Sequence, residues 1–246
     1  MDEATTRALE RQRVYTMTFY PIQGPDLKIP KTSLVIVRFS MDTTPSNETL
    51  PERLHTASPA KKVEFMAGRF CATRALRACH APSDQVGWLG KEPVWPSGFV
   101  GSITHTGNHA AAVVASRAHL QAIGLDAEHL YRGKNLTQSQ QKVLDAQEQV
   151  LIHAKNLDPA FGFSLFFSAK ESLFKCLFPL VRTSFGFSAA QITELDVDEH
   201  SFQICLLKDL DPFPMNSKFS GTYDFHLGII FTCIAVNHLG TETDSA

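Results

Sequence analysis

The chain has 246 residues, 43% of them hydrophobic and 20% charged, which supplies enough apolar side chain for one large core or two small ones and excludes a mainly disordered chain. Lys+Arg 23 against Asp+Glu 25 leaves a formal charge of -2, which argues against a broadly basic nucleic-acid binder. No apolar run reaches membrane-spanning length, and "MDEATTRALERQRVY" has neither the apolar core of a secretory signal nor a transit-peptide composition, so a soluble cytoplasmic protein is expected.

Residues 1–30, with Pro21, Gly24, Pro25 and Pro30, read as an irregular arm, followed by a strand at "SLVIVRFS" (33–40) and a polar loop. "KKVEFMAGRFCATRALRAC" (61–79) reads as a helix with Phe65, Ala72, Leu76 and Cys79 near one face and Arg69, Arg74 and Arg77 on others. "WPSGFVGSITHTGNHAAAVVAS" gives a strand ending near Thr106, a Gly107-Asn108 turn and a second strand. "AIGLDAEHL" (122–130) reads as a strand near that hairpin in the same sheet. Its alternation sends Asp126 and Glu128 to one face and Leu125 and Ala127 to the other.

"TQSQQKVLDAQEQVLIHAKN" (about 137–156) reads as one polar helix, and "FSLFFSAKESLFKCLF" (163–178) as a second, closed off by Pro179. "SFQICLLKDL" and "YDFHLGIIFTCIAV" read as antiparallel strands. Each half thus runs helix, then paired strands, an order that fits two α+β lobes with the 120s as their seam. Cys71, Cys79, Cys176, Cys205 and Cys233 show no CxxC and read as reduced, buried thiols.

Two neighbouring carboxylates at low dielectric share a proton or hold a cation between them, and the alternative for Asp126 and Glu128 is a strand edge presenting acids to water. Magnesium takes oxygen ligands and keeps waters, so this pair with Glu171 as a third ligand suits it, whereas no His/Cys cluster suits zinc. Glu171 and Lys175 share a helix face with Lys170 beside them. The plainer reading is a capping box at Ser168-x-x-Glu171 and a surface Glu171-Lys175 pair. His105 and Thr104 at a strand end are either structural or phosphate contacts. Arg69, Arg74 and Lys61 or Lys62 form either a solvated helix face or a polyanion cradle. There is no GxGxxG, G-x-S-x-G or GxxxxGK[ST], which disfavours dinucleotide, serine-hydrolase and P-loop chemistry.

Taken in order, "GSITHT", "IGLDAE" and "FSAKESLFKCLF" resemble the 4'-phosphopantetheinyl transferases, in particular the large single-chain type associated with siderophore and broad-specificity carrier activation. "VEFMAGRFCATRAL" and "PVWPSGFVGSITH" extend the resemblance over about residues 60–190. The resemblance implies an α+β fold of two similar lobes in pseudo-twofold arrangement: an arm at 1–30, lobes at 31–122 and 123–246, and coenzyme A in the cleft between them. It implies transfer of phosphopantetheine from coenzyme A to a serine of an acyl or peptidyl carrier protein, with release of 3',5'-adenosine bisphosphate. By motif, Asp126, Glu128 and Glu171 bind Mg2+, and Glu171 and Lys175 are catalytic. Arg69, Arg74, Thr104, His105, Lys170 and Lys175 contact coenzyme A. The sequence departs from the pattern in two places: Gln140 stands where relatives carry a glutamate proposed as base, and Thr73 where they often carry arginine. Two further readings follow from the missing glutamate and the acidic trio: a non-catalytic carrier- or coenzyme-binding module, and a magnesium phosphodiesterase of nucleotide pyrophosphates. A monomer without nucleic-acid or membrane partners is expected.

Overall fold

A computed structural model describes residues 18–40, 50–90 and 92–238, so the first part of the expected arm lies outside the described residues. In chain order the first half comprises β1 (Phe19–Ile22), β2 (Thr32–Phe39), α1 (Pro59–Ala78), β3 (Gly87–Leu89), β4 (Glu92–Val94), β5 (Phe99–Thr106) and β6 (His109–Ser116). The second half comprises β7 (Ala122–His129), α2 (Leu136–Val143), α3 (Ala146–Ala154), α4 (Pro159–Val181), β8 (Ala190–Asp196), β9 (Ser201–Leu206), β10 (Lys218–His226) and β11 (Ile229–Val236).

Two antiparallel sheets result, ordered β1-β2-β6-β5 and β7-β11-β10-β9-β8, with β3 and β4 as a separate hairpin. The expectation that β7 shares a sheet with the β5–β6 hairpin is corrected. Its hydrogen-bonded partner is β11, from Ile229↔His129 to Val236↔Ala122, and β5 meets it through side chains. Alternation along the strands explains the layering. Val37, Phe39, Ala110 and Ala112 pack against Val63, Ala67, Cys71 and Ala72 of α1, while Ile36, Ala111 and Val113 face Ile123, Leu125, Phe231 and Cys233 of the second sheet. The other face of that sheet, with Ile230, Ile234 and Val236, packs against Phe166, Ala169, Leu173 and Leu177 of α4. The molecule is thus built of helix, sheet, sheet and helix, and alanine-rich β6 is thin enough to be buried on both faces.

Local chemistry sets the helix ends. Ser58 caps α1 by accepting from Lys61 N, with Pro59 in the first turn where a missing N–H costs nothing. Asp158 caps α4 by accepting from the Ala160 and Phe161 amides. Pro179 does not close that helix. It sits in the last turn, and the helix ends at Arg182, whose φ of +55° is the left-handed stop. The single helix expected at 137–156 is two, because Leu144 is extended and Asp145 begins a capping box with Glu148. β1 replaces part of the expected irregular arm by pairing with β2, and β8 completes the second sheet where no strand was expected. On α1, Phe65 is not on the core face. The buried residues are Lys62, Val63, Ala67, Gly68, Cys71, Ala72, Ala75 and Leu76, and Phe65 lies on the arginine side.

The segment between β1 and β2 straps one sheet to the other. Asp26 N donates to Asp224, Thr222 Oγ1 donates to Leu27 O, and the His226 ring contacts Gln23 O. All five cysteines are free thiols, four of them buried, and no described helix is long and apolar enough to cross a membrane.

β7 crosses α4 at Gly124, where a Cβ would lie 2.0 Å from Ser172 O and 2.6 Å from Cys176 N. Because backbone blocks that space, the Gly124→Ala variant is expected to lose at least about 2 kcal/mol of stability in urea unfolding. A change under 0.5 kcal/mol would show that strand and helix separate freely here.

Candidate active site

Four polar residues of α4, Ser168, Glu171, Ser172 and Lys175, recur at the three- and four-residue spacing that brings side chains to one helix face. That face lies against β7 and β11. Asp126, 3% exposed, is the focus. Lys175 Nζ donates to its Oδ1 at 2.6 Å and Thr104 Oγ1 to the same atom at 3.3 Å, while Ser168 Oγ donates to Oδ2 at 2.9 Å. Lys175 Nζ also donates to Thr104 Oγ1 at 3.2 Å. Behind these, the Thr232 hydroxyl lies 2.9 Å from Ser168 Oγ and 2.7 Å from Ser172 Oγ, so the buried hydroxyls are satisfied in a chain rooted in β11.

The plainer readings of the α4 motif are thereby corrected. Ser168 is fully buried in mid-helix and bonds a carboxylate, so it caps nothing, and Lys175 pairs with Asp126 across the fold. Glu128 and Glu171, both half-buried, join the field of Asp126. Burial, then Asp126, and then Glu171 raise the Glu128 carboxyl to about 7 against the opposing pull of Lys175. Burial and Asp126 raise Glu171 likewise. The three carboxylates of the sequence motif are therefore electrostatic neighbours, and their like charge is under-compensated.

Among the described residues no three His, Cys, Asp or Glu side chains stand in position to ligate one ion. The donor set nonetheless fits a hard divalent cation. It consists of carboxylate oxygens, and two of the three hold their protons more tightly because of burial first and of Asp126 second. Lys175 supplies the cation that Asp126 Oδ1 faces.

His105, at the end of β5, lies with Nδ1 3.7 Å from Glu64 Oε2 of α1. Burial lowers its pKa against Glu64, which raises it, and it also feels Lys175, Asp126 and Lys61. The sequence motifs Thr104-His105, Asp126-Glu128 and Glu171-Lys175 are thus brought together. Arg69 is on α1 with Nη1 bound to Val86 O at 3.0 Å and Gly87 O at 2.6 Å. Arg74 is not brought to the cluster. Its guanidinium lies over Phe70, which stacks on Phe19 of β1.

Lys170 is not brought there either. Its ammonium, with three protons to give, donates to Val143 O at 2.8 Å, Glu148 Oε2 at 2.8 Å and Phe187 O at 3.2 Å, which leaves none for a phosphate. Glu148 went unremarked in the sequence. It is fully buried, accepts from Ile192 N and Asp145 N besides Lys170, and burial raises its pKa. The Asp145-x-x-Glu148 spacing was the signal that announces it. Gln140 is half-buried on α2. Beside Glu171 opens a cavity of about 260 Å³, lined by Phe174, Phe185, Phe187 and Leu173, with Lys170 in its wall.

Residues 50–115 match the model for the 4'-phosphopantetheinyl transferase N-terminal domain, and residues 122–222 match that for the 4'-phosphopantetheinyl transferase superfamily. "4'-phosphopantetheinyl transferase Svp" of Streptomyces mobaraensis is 31% identical over 205 residues, 80% of this chain and 78% of that protein. "Enterobactin synthase component D" of Salmonella typhi is 33% identical over 155 residues, 62% of this chain and 63% of that protein. "4'-phosphopantetheinyl transferase Npt" of Nocardia iowensis is 34% identical over 137 residues, 54% of this chain and 59% of that protein. The chain therefore spans somewhat less than two thirds of the length of the enterobactin synthase relatives it matches.

The Glu148-Lys170 pair predicts a stability phenotype. Removing one partner strands the other charge in the core, so Glu148→Ala is expected to cost about 3–5 kcal/mol in denaturant unfolding. The double variant Glu148→Leu/Lys170→Met is expected to recover most of that loss. Equal stability of the single variant and the parent would show that the pair carries no such constraint.

Proposed function

Since the chain belongs to the 4'-phosphopantetheinyl transferase superfamily, we propose that it moves the 4'-phosphopantetheine group of coenzyme A onto a serine of an acyl or peptidyl carrier protein. The observation that carries this reading is the convergence of Thr104 from β5 and Lys175 from α4 on the buried Asp126 carboxylate of β7, with Glu128 and Glu171 in its field. The serine oxygen forms a bond to the phosphorus that bears pantetheine, the bond from that phosphorus to the bridging oxygen breaks, and 3',5'-adenosine bisphosphate departs with the bridging oxygen. The serine proton goes to a carboxylate. Glu171 borders the cavity beside the cluster and stands for that role, whereas Gln140 has no basic atom to offer.

Asp126, Glu128 and Glu171 would hold magnesium, whose contribution is to neutralise charge gathering on the pyrophosphate oxygens. Lys175, fixed by Asp126 and Thr104, keeps a positive charge aimed at the same place and is 28% exposed, so a phosphate oxygen can reach it. His105 and Thr104 close the β5 side. The cavity lined by phenylalanines suits the uncharged pantetheine chain, which asks for apolar contact along its length. Residues 31–122 and 123–246 are read as the two lobes of a pseudo-twofold pair, and the protein as a cytoplasmic monomer.

The test is to incubate the protein with coenzyme A, magnesium and an unmodified carrier protein and then to weigh the carrier. A mass gain equal to one phosphopantetheine is expected, with loss of that gain on chelation of magnesium. No gain across acyl and peptidyl carriers would reject the reading. Release of adenosine bisphosphate without a carrier would favour phosphodiesterase chemistry instead. The Asp126→Ala variant is expected to lose more than about a hundredfold in transfer rate while keeping the parent's circular dichroism spectrum. Near-normal turnover would remove Asp126 from the site.

A further inference from the structure

Lys170 is 4% exposed and Glu148 0%, so two opposite charges meet in the core, away from the Asp126 cluster. A buried ion pair is seldom more stabilising than well-packed apolar side chains in the same place, so its presence asks for a reason other than stability. Its partners supply one. Lys170 Nζ donates to Val143 O at the end of α2, to Glu148 Oε2 on α3 and to Phe187 O in the 3-10 turn Phe187–Ala189. The other oxygen of Glu148 accepts from Ile192 N of β8 at 2.8 Å. The pair therefore joins α2, α3, α4, the turn and β8 at one point.

What it holds is the far wall of the cavity of about 260 Å³ beside Glu171. That wall is the stretch 184–187 with Ala190, and the near wall is α4, through Lys170, Glu171, Leu173 and Phe174. The main-chain bond from Ala189 N to Gly186 O lies within the turn and fixes no distance to α4. Phe185 and Phe187 lean on Phe174 and Phe167 of α4, with ring centroids 5.1 and 5.4 Å apart, and apolar contact of this kind has no preferred direction. Arg182, just before the wall, reaches Glu92 of β4 in the open, where an ion pair contributes little. Buried, charge-assisted bonds at both ends of the turn, Lys170 to Phe187 O and Glu148 to Ile192 N, are what set the separation. We infer, resting on the proposed function, that Lys170 with Glu148 is a positioning pair: it keeps the Phe185–Phe187 wall at the spacing from α4 that the pantetheine chain of coenzyme A occupies, and so sets affinity for that half of the coenzyme. By the same reading the pyrophosphate belongs to Asp126 and Lys175, so the two halves of the coenzyme answer to two separate networks.

The experiment compares the full chain with its Glu148→Leu/Lys170→Met variant, which removes both charges together and is expected to fold, with circular dichroism and the urea midpoint as the check. Calorimetry titrates coenzyme A and adenosine 3',5'-bisphosphate, which lacks the pantetheine chain, into each protein in the presence of magnesium. The variant is expected to bind coenzyme A about tenfold more weakly and the bisphosphate within about twofold of the parent. In carrier modification the KM for coenzyme A is expected to rise by a similar factor with kcat within about threefold. The same split is expected of Glu148→Gln/Lys170→Met, which keeps an oxygen for Ile192 N and loses the tie to Phe187. A general loosening of the fold would weaken both ligands alike. Equal weakening of the two ligands, or of neither, overturns the inference, as does failure of both variants to fold, which assigns the pair to folding alone. A parent that modifies carriers while the variants show no split loses only this inference. A split between the ligands with no carrier modified loses only the proposed transfer.

Discussion

A carboxylate taken almost wholly out of water, Asp126, governs the architecture. An isolated charge at that depth is costly, so it must be met by donors, and here they come from two elements besides its own strand: Thr104 from β5 of the first sheet, and Ser168 and Lys175 from α4. The same requirement passes through Ser168 to Thr232 on β11. Satisfying one side chain therefore fixes the distance between two sheets and the rotation of the longest helix. The close passage at Gly124 is part of the same geometry, because only with the strand pressed to the helix backbone do Ser168 and Lys175 reach their acceptor.

The chemistry gains from this economy of space. Lys175 is held by two oxygens while keeping an open side, and Glu128 and Glu171 sit where burial and mutual repulsion destabilise their charge. Such a cluster is tense without a cation and relaxed with one. That under-compensated field is what the proposed role, holding magnesium against the coenzyme's pyrophosphate, requires.

Much of this was legible in the sequence, for a definite physical reason. β5, the Gly107-Asn108 turn and β6 announce themselves by period-two patterning, and Asp126 and Glu128 share a face because a strand allows nothing else. Local rules failed wherever a distant partner decided the outcome. The Ser168-x-x-Glu171 spacing imitates a cap, yet its hydroxyl is claimed by a carboxylate from another strand. Lys170 looked like a phosphate ligand by adjacency to Glu171. Helical rotation instead turns it the other way, into Glu148 and two carbonyls. The sheet to which β7 belongs is a matter of pairing across the chain, which no window of residues contains.

The strap between β1 and β2 also bears on how the molecule comes into being. Gln23, Asp26 and Leu27 rest on β10, and β7 has its hydrogen-bonding neighbour in β11, the last described strand. During synthesis the early segments must wait on the ribosome with these groups unmet until the late strands emerge. Assembly of the cluster around Asp126 is therefore postponed until β11 has been made, and a chain cut short before β11 has the motif residues without the strand that sets them in place.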